Sequence, residues 1–407
     1  MSDVPRPDRR GRHLRRWLWG VICLLLVLGS LLIAYSAARQ RHLIASLRNK
    51  GFSIETRPLF DSSWPYWIRT RLDDSVIRSA RISINSQSCS EGDLKSIVEL
   101  FSRTYSDFSF NRASSLTLSD CGLTDQGLTH LNGVSQLWNL EIKSSKVTDH
   151  GLASLSSFTG LYRLHLDCPQ ITDNGLKHLQ GLQLGDLILM CPRVTDDGLK
   201  RLSEVKRLSF LALTSPHITD AGLAHLANCP SFTGCHLDSP QITDEGLKNL
   251  SKLTNLKDFW LSHAVRITDA GVAHLTKHPK LRGLGLEESQ ITDVGCSSLK
   301  VLKDMVQLSV AKTQITDAGL KHVSALPQIY RLDLSQTHVT DSGLADLTKL
   351  PKLCHLDLHG TSVTDAGIFQ LERIPNLRRI DLTGTAVTAA GVARLKTTLL
   401  NLEVKGP

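Results

Sequence analysis

The residues that recur most regularly in this sequence are a hydroxyl and a carboxylate in direct succession, Thr-Asp, which occur eleven times as part of one repeated pattern. Side chains of these types can bind a metal ion, assist proton transfer or cap a helix. A catalytic centre is needed only once, so the repetition argues against catalysis. A ladder of calcium sites is the alternative, but calcium requires more oxygen ligands per site than one carboxylate. We predict that each Thr caps a helix and each Asp favours its dipole.

A second polar group lies near the C-terminus. His355, Asp357 and His359 take alternate positions of one predicted strand and would face the same side. A metal site is one interpretation, but flanking arginines favour a salt-linked polar surface. This secondary polar patch consists of Arg331, Asp333, His355, Asp357, His359, Arg379 and Asp381. Motifs for nucleotide binding, serine hydrolysis and zinc proteolysis are missing from the sequence, so we predict no catalytic residue, no cofactor and no metal ligand.

The elements that position these residues belong to a repeat of about 24 residues. A Leu-x-Leu triplet precedes each Thr-Asp pair and alternates with period two, which is typical of a short strand. Glycine follows every Thr by three residues, and leucines three apart then indicate one inward helical face. Proline ends the helix in several copies. The Thr residues are Thr124, Thr148, Thr172, Thr195, Thr219, Thr243, Thr268, Thr292, Thr316, Thr340 and Thr364, with Thr388-Ala389 as a degenerate twelfth copy.

Units this small can bury their leucines only by stacking on one another. The predicted fold is therefore an α/β solenoid, a horseshoe with a parallel inner sheet and outer helices, built from about twelve repeats over residues 116–407. A small polar residue three positions before the Thr, such as Thr313 or Thr337, is expected to bond the backbone where the strand ends. Four repeats have proline there, and the preceding residue is expected to substitute: Cys168, Cys191, Ser215 and Ser239.

Large apolar side chains occupy outward positions of consecutive predicted strands. We predict a partner-binding patch on the concave face formed by Ile188, Met190, Phe210, His236 and Trp260. Exposed aromatic residues and methionine are typical of interface hot spots. The alternative is that neighbouring side chains simply cover one another.

An uncharged segment at residues 17–35 predicts a membrane anchor. Its nineteen residues would span roughly 28 Å as a helix, about one hydrocarbon core. Six arginines in residues 1–16 place that tail in the cytoplasm, and the rest of the chain outside it. A cleaved signal peptide and a buried core helix are the alternatives, but the apolar run is longer than a usual signal segment.

The net charge of +8 is concentrated around this segment. Residues 76–407 contain 34 Lys/Arg and 33 Asp/Glu, which leaves them near neutral. A phosphate-binding groove is therefore not indicated, and we predict no nucleic-acid partner.

The region between anchor and repeats predicts a juxtamembrane helix and linker over 36–75 and an irregular N-terminal cap over 76–115. Trp64, Tyr66 and Trp67 would contact lipid headgroups or cover the open end of the solenoid. An enzyme with its site in residues 36–115 is an alternative, for which the region offers His42, Asp61, Asp73 and Asp74.

The cysteines show no metal-ligand spacing and are interpreted as buried free thiols. Cys168 and Cys191 take equivalent places in adjacent repeats, so a disulfide between them in an oxidising compartment is the alternative interpretation.

Units such as Ile315-Thr316-Asp317-Ala318-Gly319-Leu320 resemble those of leucine-rich-repeat proteins, specifically the short bacterial form built on ITDAGL-like repeats behind an N-terminal membrane anchor. A weaker similarity is to the cysteine-containing repeats of F-box adaptor proteins. The bacterial resemblance implies a non-catalytic scaffold, anchored by a single pass in the cytoplasmic membrane, whose concave face outside the cytoplasm binds an unidentified protein. The F-box similarity implies a substrate-recognition adaptor of a ubiquitin ligase instead.

Overall fold

The computed structural model describes residues 35, 38–39, 41–58, 77–84, 90–102, 114–119, 121–132, 134 and 137–406. Except for Tyr35, the predicted membrane segment lies outside these residues. So do the tryptophans and tyrosine of the 64–67 cluster and Asp61, Asp73 and Asp74. None of the helices within the described ranges has both the length and the apolar character needed to cross a bilayer.

Fifteen strands form one sheet in which each strand pairs with its neighbours in chain order. β1 runs antiparallel to β2, and all later pairs are parallel. The strands are β1 Ser53–Pro58, β2 Ile77–Ile84, β3 Ser114–Ser119, β4 Leu137–Lys143, β5 Arg163–Asp167, β6 Asp186–Met190, β7 Phe210–Thr214, β8 Gly234–Asp238, β9 Asp258–Ser262, β10 Gly283–Leu286, β11 Gln307–Ser309, β12 Arg331–Asp333, β13 His355–Asp357, β14 Arg379–Asp381 and β15 Glu403–Lys405.

A short helix follows nearly every strand. The helices are α1 (residues 41–49), α2 Glu91–Ser102, α3 Asp125–Thr129, α4 Asp149–Leu152, α5 Asp173–Leu176, α6 Asp196–Leu202, α7 Asp220–Leu226, α8 Asp244–Asn249, α9 Asp269–Leu275, α10 Asp293–Leu299, α11 Asp317–Val323, α12 Asp341–Leu347, α13 Asp365–Ile368 and α14 Ala389–Thr398. Short 3-10 helices extend some of them at Ala153–Ser157, Lys177–Leu179, Leu250–Lys252 and Phe369–Arg373.

The solenoid has about 14 repeats rather than the twelve predicted. Twelve coils, from β3 with α3 to β14 with α14, carry the Thr-Asp motif or its degenerate copy. β2 and α2 add a coil without that motif, and β15 begins another. β2 is parallel to β3 and continues the same sheet, so its Ile82 and Ile84 join the common core. The alternation of Ile82 and Ile84 and the apolar helical face that follows predict this region as an irregular first coil or cap, and the structure has both its strand and its helix. The helix begins after Ser90, whose amide and hydroxyl donate to Asp93 in place of a Thr-Asp motif.

The Leu-x-Leu triplets alternate between core and solvent as predicted. In β5, Leu164 and Leu166 are fully buried, while Arg163, His165 and Asp167 face the other side. Parallel pairing sets equivalent positions of successive strands side by side, as for Leu164 and Leu187. We call the solvent-facing side of the sheet the concave face.

The Thr-Asp pairs form a ladder that joins each coil to the next. Both oxygens of one carboxylate accept hydrogen bonds from the Thr of the following coil: Asp293 Oδ1 from Thr316 N at 2.9 Å, and Oδ2 from Thr316 Oγ1 at 2.7 Å. The same hydroxyl oxygen accepts from Ala318 N, so Thr also caps its own helix as predicted. Eleven such links run from Asp125–Thr148 to Asp365–Thr388. The predicted interaction of Asp with the dipole is therefore only part of its role.

The glycine of each motif leaves room for this carboxylate. A Cβ placed on Gly319 would stand 2.5 Å from Asp293 Oδ1, and equivalent glycines from Gly151 to Gly391 meet the preceding Asp in the same way. Any larger residue would therefore displace the acceptor from its Thr. At the last link, hydrogen bonds from the Thr388 amide and hydroxyl hold the pKa of Asp365 below its usual value.

Two kinds of turn leave the strands. In the C-terminal repeats the small polar residue bonds its own turn, as predicted, with Oγ to carbonyl distances of 2.6–2.8 Å for Ser289, Thr313, Thr337, Thr361 and Thr385. In the proline-containing repeats, the substituting residue reaches the preceding coil: Ser215 bonds Val194 O and Ser239 bonds Ile218 O, both at 2.6 Å.

The strands become shorter toward the C-terminus. From β9 to β14 one residue of the turn after each strand lies in the left-handed region: His263, Glu288, Lys312, Gln336, Gly360 and Gly384. β5 to β9 have five residues, whereas β11 to β14 have three.

The seven cysteines within the described ranges are buried free thiols. Cys168 and Cys191 each lie 3.7 Å from a carbonyl of the preceding coil rather than forming a disulfide with each other. Burial raises the pKa of both thiols to about 12, which makes them poor nucleophiles.

His278 is the one histidine within the described ranges that is buried completely. It precedes Pro279, at a position where other repeats have apolar residues such as Leu326 before Pro327. Its Nδ1 lies 3.0 Å from Leu253 O, whereas Nε2 is buried without a hydrogen-bond partner in the described part of the chain. Burial therefore lowers the pKa of His278, with the nearby Lys277 charge adding to the effect.

We predict that Asp196→Ala lowers the free energy of unfolding by about 1–3 kcal/mol, because it leaves the Thr219 amide and hydroxyl without their acceptor. Asp197→Ala is the matched control: Asp197 lies in the same first helical turn but is exposed and outside the ladder, so its loss should cost about 0.3–1 kcal/mol. Denaturant unfolding of the full chain measures both. Equal effects would show that the inter-coil bonds add nothing.

We also predict that the stability of the chain falls as the pH is lowered from 7 to 5. The folded His278 has a depressed pKa, so below about pH 6.5 the unfolded chain binds a proton that the folded chain does not. His278→Leu should flatten the pH dependence of the denaturation midpoint, whereas His217→Ala, at an exposed position, should leave it unchanged. An unaltered slope in His278→Leu would contradict this account.

Candidate functional site

The concave face brings together the five apolar and aromatic residues predicted to bind a partner, which we call the aromatic patch. They lie on the four adjacent strands β6 to β9. Cross-strand register places Ile188, Ala212, His236 and Trp260 in one row. Met190 lies at the end of β6 and is 45% exposed. The patch is therefore continuous across four coils.

Three of its rings contact one another. The His236 ring lies between Phe210 and Trp260, with centroid distances of 5.2 Å and 5.5 Å. This environment desolvates the imidazole and lowers the pKa of His236, so it is mainly neutral at pH 7. The imidazole itself therefore adds little charge to the patch, and the carboxylate of Asp258 on β9, whose charge opposes this lowering, is the charged group next to it.

Glycines on the next strand determine where the Trp260 indole lies. The indole lies across β10, where a Cβ on Gly285 would overlap Cε3 of Trp260 and a Cβ on Gly283 would stand 3.2 Å from Nε1. Both glycines are buried beneath it. The alternative that neighbours cover one another thus applies in part, because Trp260 is half-buried while Met190 stays exposed.

The repeat pattern alone assigns no role to these glycines. A signal for them exists in the sequence: Gly283-Leu284-Gly285-Leu286 is the one Leu-x-Leu-type segment in which both outward positions of the strand lack a side chain.

Six of the seven residues of the secondary polar patch line a groove of about 650 Å³ on the concave face, which we call the polar groove. Two rows of side chains cross β12 to β14 in the groove, and each takes one residue from every strand. One row, which we call the basic column, is Arg331, His355 and Arg379, and the parallel row beside it, the acidic column, is Asp333, Asp357 and Asp381. Trp260 lines one end, and Glu403 and Lys405 of β15 line the other.

His359 does not join this groove. β13 ends at Asp357, so His359 lies in the following turn, where its Nδ1 is 2.8 Å from Thr383 O. The expectation that three alternate residues of one strand face outward together is therefore wrong. Across the described residues there is no group of three or more His, Cys, Asp or Glu side chains arranged to hold a metal ion.

Residues of β15 neutralise the C-terminal end of the groove. Arg379 Nε lies 2.7 Å from Glu403 Oε2, and Lys405 Nζ lies 2.8 Å from Asp381 Oδ2. Burial alone would raise the pKa of Asp381, but the bonds from Lys405 and Thr383 lower it. The sequence analysis did not assign Glu403 and Lys405 to a site, although they stand at the register positions of Arg379 and Asp381.

Asp357, the middle residue of the three aspartates, has no lysine bonded to it within the described residues, unlike Asp381. Each Asp of the acidic column accepts a hydrogen bond at 2.9 Å from the amide two residues on, as Asp357 Oδ1 does from His359 N. Burial raises the pKa of Asp357, and the charges of Asp333 and Asp381 on either side raise it further.

A second group of aromatic side chains lies in the N-terminal half of the sheet, near β4 and β5. Trp138 and Tyr162 stack with centroids 5.4 Å apart, and the guanidinium of Arg163 lies 5.8 Å from the Trp138 ring centroid. Arg163 also bonds Asp186 at 2.7 Å. These side chains satisfy one another and are interpreted as part of the scaffold.

Comparison with solved structures shows which fold this is. The chain is similar to an internalin from Listeria monocytogenes, at 22% identity and a TM-score of 0.54, covering 83% of this chain and 92% of that one. It is also similar to a chain of the Rad7–Elc1 complex in yeast, at 17% identity and a TM-score of 0.60, covering 99% of both chains. A leucine-rich-repeat protein from Leptospira interrogans matches at 15% identity and a TM-score of 0.43, covering 79% of this chain and 94% of that one.

No protein-family model and no curated protein matches the sequence. At these identities the likeness shows the fold, and together with the parallel sheet and alternating helices it identifies a leucine-rich-repeat solenoid.

Proposed function

We propose that this chain is a non-catalytic scaffold that binds a protein partner through its concave face and is anchored in the bacterial cytoplasmic membrane. The observation that carries the proposal is the aromatic patch, a continuous apolar surface on a sheet side that is otherwise polar. A half-buried Trp and an exposed Met on one face, here three strands apart, are typical of a protein interface. The same sheet side displays polar side chains elsewhere, which suits a binding surface with an apolar centre and a polar rim.

The anchored arrangement rests on the sequence. Residues 17–35 are uncharged and flanked by arginines, and the six arginines before them favour a cytoplasmic N-terminus. The repeats would then lie outside the cytoplasm, and the lipid bilayer would be a second partner. The resemblance to anchored bacterial proteins with ITDAGL-like repeats supports the same arrangement.

An F-box-like adaptor of a ubiquitin ligase is the second candidate. The likeness to a chain of the Rad7–Elc1 complex, over 99% of both chains, favours it to the extent that a shared fold can. It requires an intracellular repeat region, which conflicts with an anchor at residues 17–35.

We predict that the double variant Phe210→Ala with Trp260→Ala weakens capture of the natural partner by the full chain about 30-fold or more, because two aromatic anchors at an interface centre are lost. Quantitative affinity purification from membrane and surface extracts measures the ratio. Val294→Ala with Val301→Ala is the matched control, since these valines are exposed and lie outside the strands of the concave face. Equal capture by both double variants would exclude the aromatic patch as the binding surface.

We predict that protease added to intact spheroplasts degrades the repeats and spares residues 1–16. The physical reason is that the bilayer shields only the segment on its cytoplasmic side. Immunoblotting with tags at the two ends reads the result, and a cytoplasmic protein serves as the control for lysis. Protection of the repeats until the cells are lysed would reject the anchored orientation and favour the intracellular adaptor.

A further inference from the structure

The polar groove and the aromatic patch share one residue and form one continuous surface. Trp260 contacts His236 in the patch and also lines the groove, because Gly283 and Gly285 let its indole lie toward β11. A volume of about 650 Å³ lies within the range of specific ligand sites. A partner that covers the aromatic patch therefore meets the groove next.

Most charges in the groove are already satisfied within the chain. Arg379 pairs with Glu403, and Asp381 pairs with Lys405. Ser309 Oγ lies 3.1 Å from Asp333 Oδ2 and 3.2 Å from Oε1 of Glu287, which also lines the groove, so its single proton serves one of the two carboxylates at a time. Asp333 also accepts from Ser335 N.

Arg331 and Asp357 are charges of opposite sign on adjacent strands, and neither forms an ion pair within the described part of the chain. Within the described part of the chain, the exposed Arg331 guanidinium has no carboxylate partner, and Asp357 Oδ2 accepts no hydrogen bond. His355 lies next to Arg331 in the basic column, and desolvation together with Arg331 and Arg379 lowers its pKa, so it supplies little positive charge to Asp357 at pH 7. The half-buried carboxylate of Asp357 thus lies between two other carboxylates and forms no ion pair among the described residues, since the Lys405 ammonium whose charge also acts on it is bonded to Asp381.

We infer that the polar groove binds a segment of the protein partner in which a carboxylate side chain pairs with Arg331 and a Lys or Arg side chain pairs with Asp357, next to an apolar residue seated at Trp260. This inference rests on the proposed function and specifies the chemistry of its partner. A single-sign partner would leave one of the two charges unpaired in a partly desolvated site, which is unfavourable.

The register of the sheet sets the order of these groups. Trp260 and Arg331 are three strands apart and two residues apart in register, roughly 16 Å, which about five extended residues cover. Arg331 and Asp357 lie on adjacent strands and two residues apart in register, roughly 8 Å from each other. The partner segment should therefore present an apolar residue, then an acidic residue, then a basic residue, in whichever chain direction it runs.

The test uses the full chain in detergent micelles and a displayed library of random 12-residue peptides. Enriched peptides are expected to contain the apolar, acidic and basic residues in that order. Arg331→Ala and Asp357→Asn should each weaken their binding about tenfold or more, measured by biolayer interferometry. Arg207→Ala and Asp197→Asn, which remove the same charges at exposed positions away from the sheet, are the matched controls and should leave binding unchanged. Circular dichroism verifies that each variant is folded.

A charge-reversed double variant, Arg331→Asp with Asp357→Arg, provides the sharpest readout. It should select peptides in which the basic residue lies nearer the apolar one and the acidic residue farther away. The inference is overturned if no peptide is enriched, if enriched peptides carry one sign of charge only, or if they bind the groove variants as tightly as the native chain. Peptides that lose affinity with Phe210→Ala but not with the groove variants would overturn it while leaving the proposed function intact.

Discussion

Each coil of this solenoid depends on a carboxylate that belongs to the coil before it. The two oxygens of Asp293 take up the amide and hydroxyl of Thr316, and that hydroxyl oxygen then accepts a bond at the start of its own helix. Stacking of leucines supplies most of the apolar burial, but it is not directional. The ladder adds direction, because each helix start is held at a fixed place against its neighbour. The strands on the opposite side of the core are aligned as a result, and with them the residues of the concave face.

The sequence pattern was sufficient to predict the strands and helices of each coil. It was not sufficient to predict the hydrogen bonds between one coil and the next. Period-two triplets predicted the strands, and Thr before Asp predicted the helix caps, because both are local. The second role of Asp could not be predicted, since its partner lies 22 to 24 residues away and meets it only after stacking. The space requirement at Gly319 follows from that same contact. β2 and the helix after it could be predicted as an irregular first coil or cap without the Thr-Asp pair, because the alternation of Ile82 and Ile84 is local as well.

The candidate site shows the same division. Alternation along each strand correctly placed Phe210, His236 and Trp260 on one face. The extent of a strand was harder to predict: the C-terminal strands have three residues and a left-handed turn residue after them, which takes His359 out of the groove. The link between aromatic patch and polar groove depends on an indole that lies across the glycines of another coil. A side-chain direction of that kind is set by packing.

The Asp–Thr hydrogen bonds between successive coils are equivalent, so they do not fix how many coils the solenoid has. Removing one whole unit would bring the next Thr to an identical carboxylate, so the joint would close without any new residue. The units of β10 and β11 are exceptions, since one supplies the glycines beneath Trp260 and the other the Ser309 that bonds Asp333. Loss or duplication of a unit before β6 would shorten or lengthen the sheet by one strand spacing, roughly 4.8 Å, and leave both surfaces unchanged.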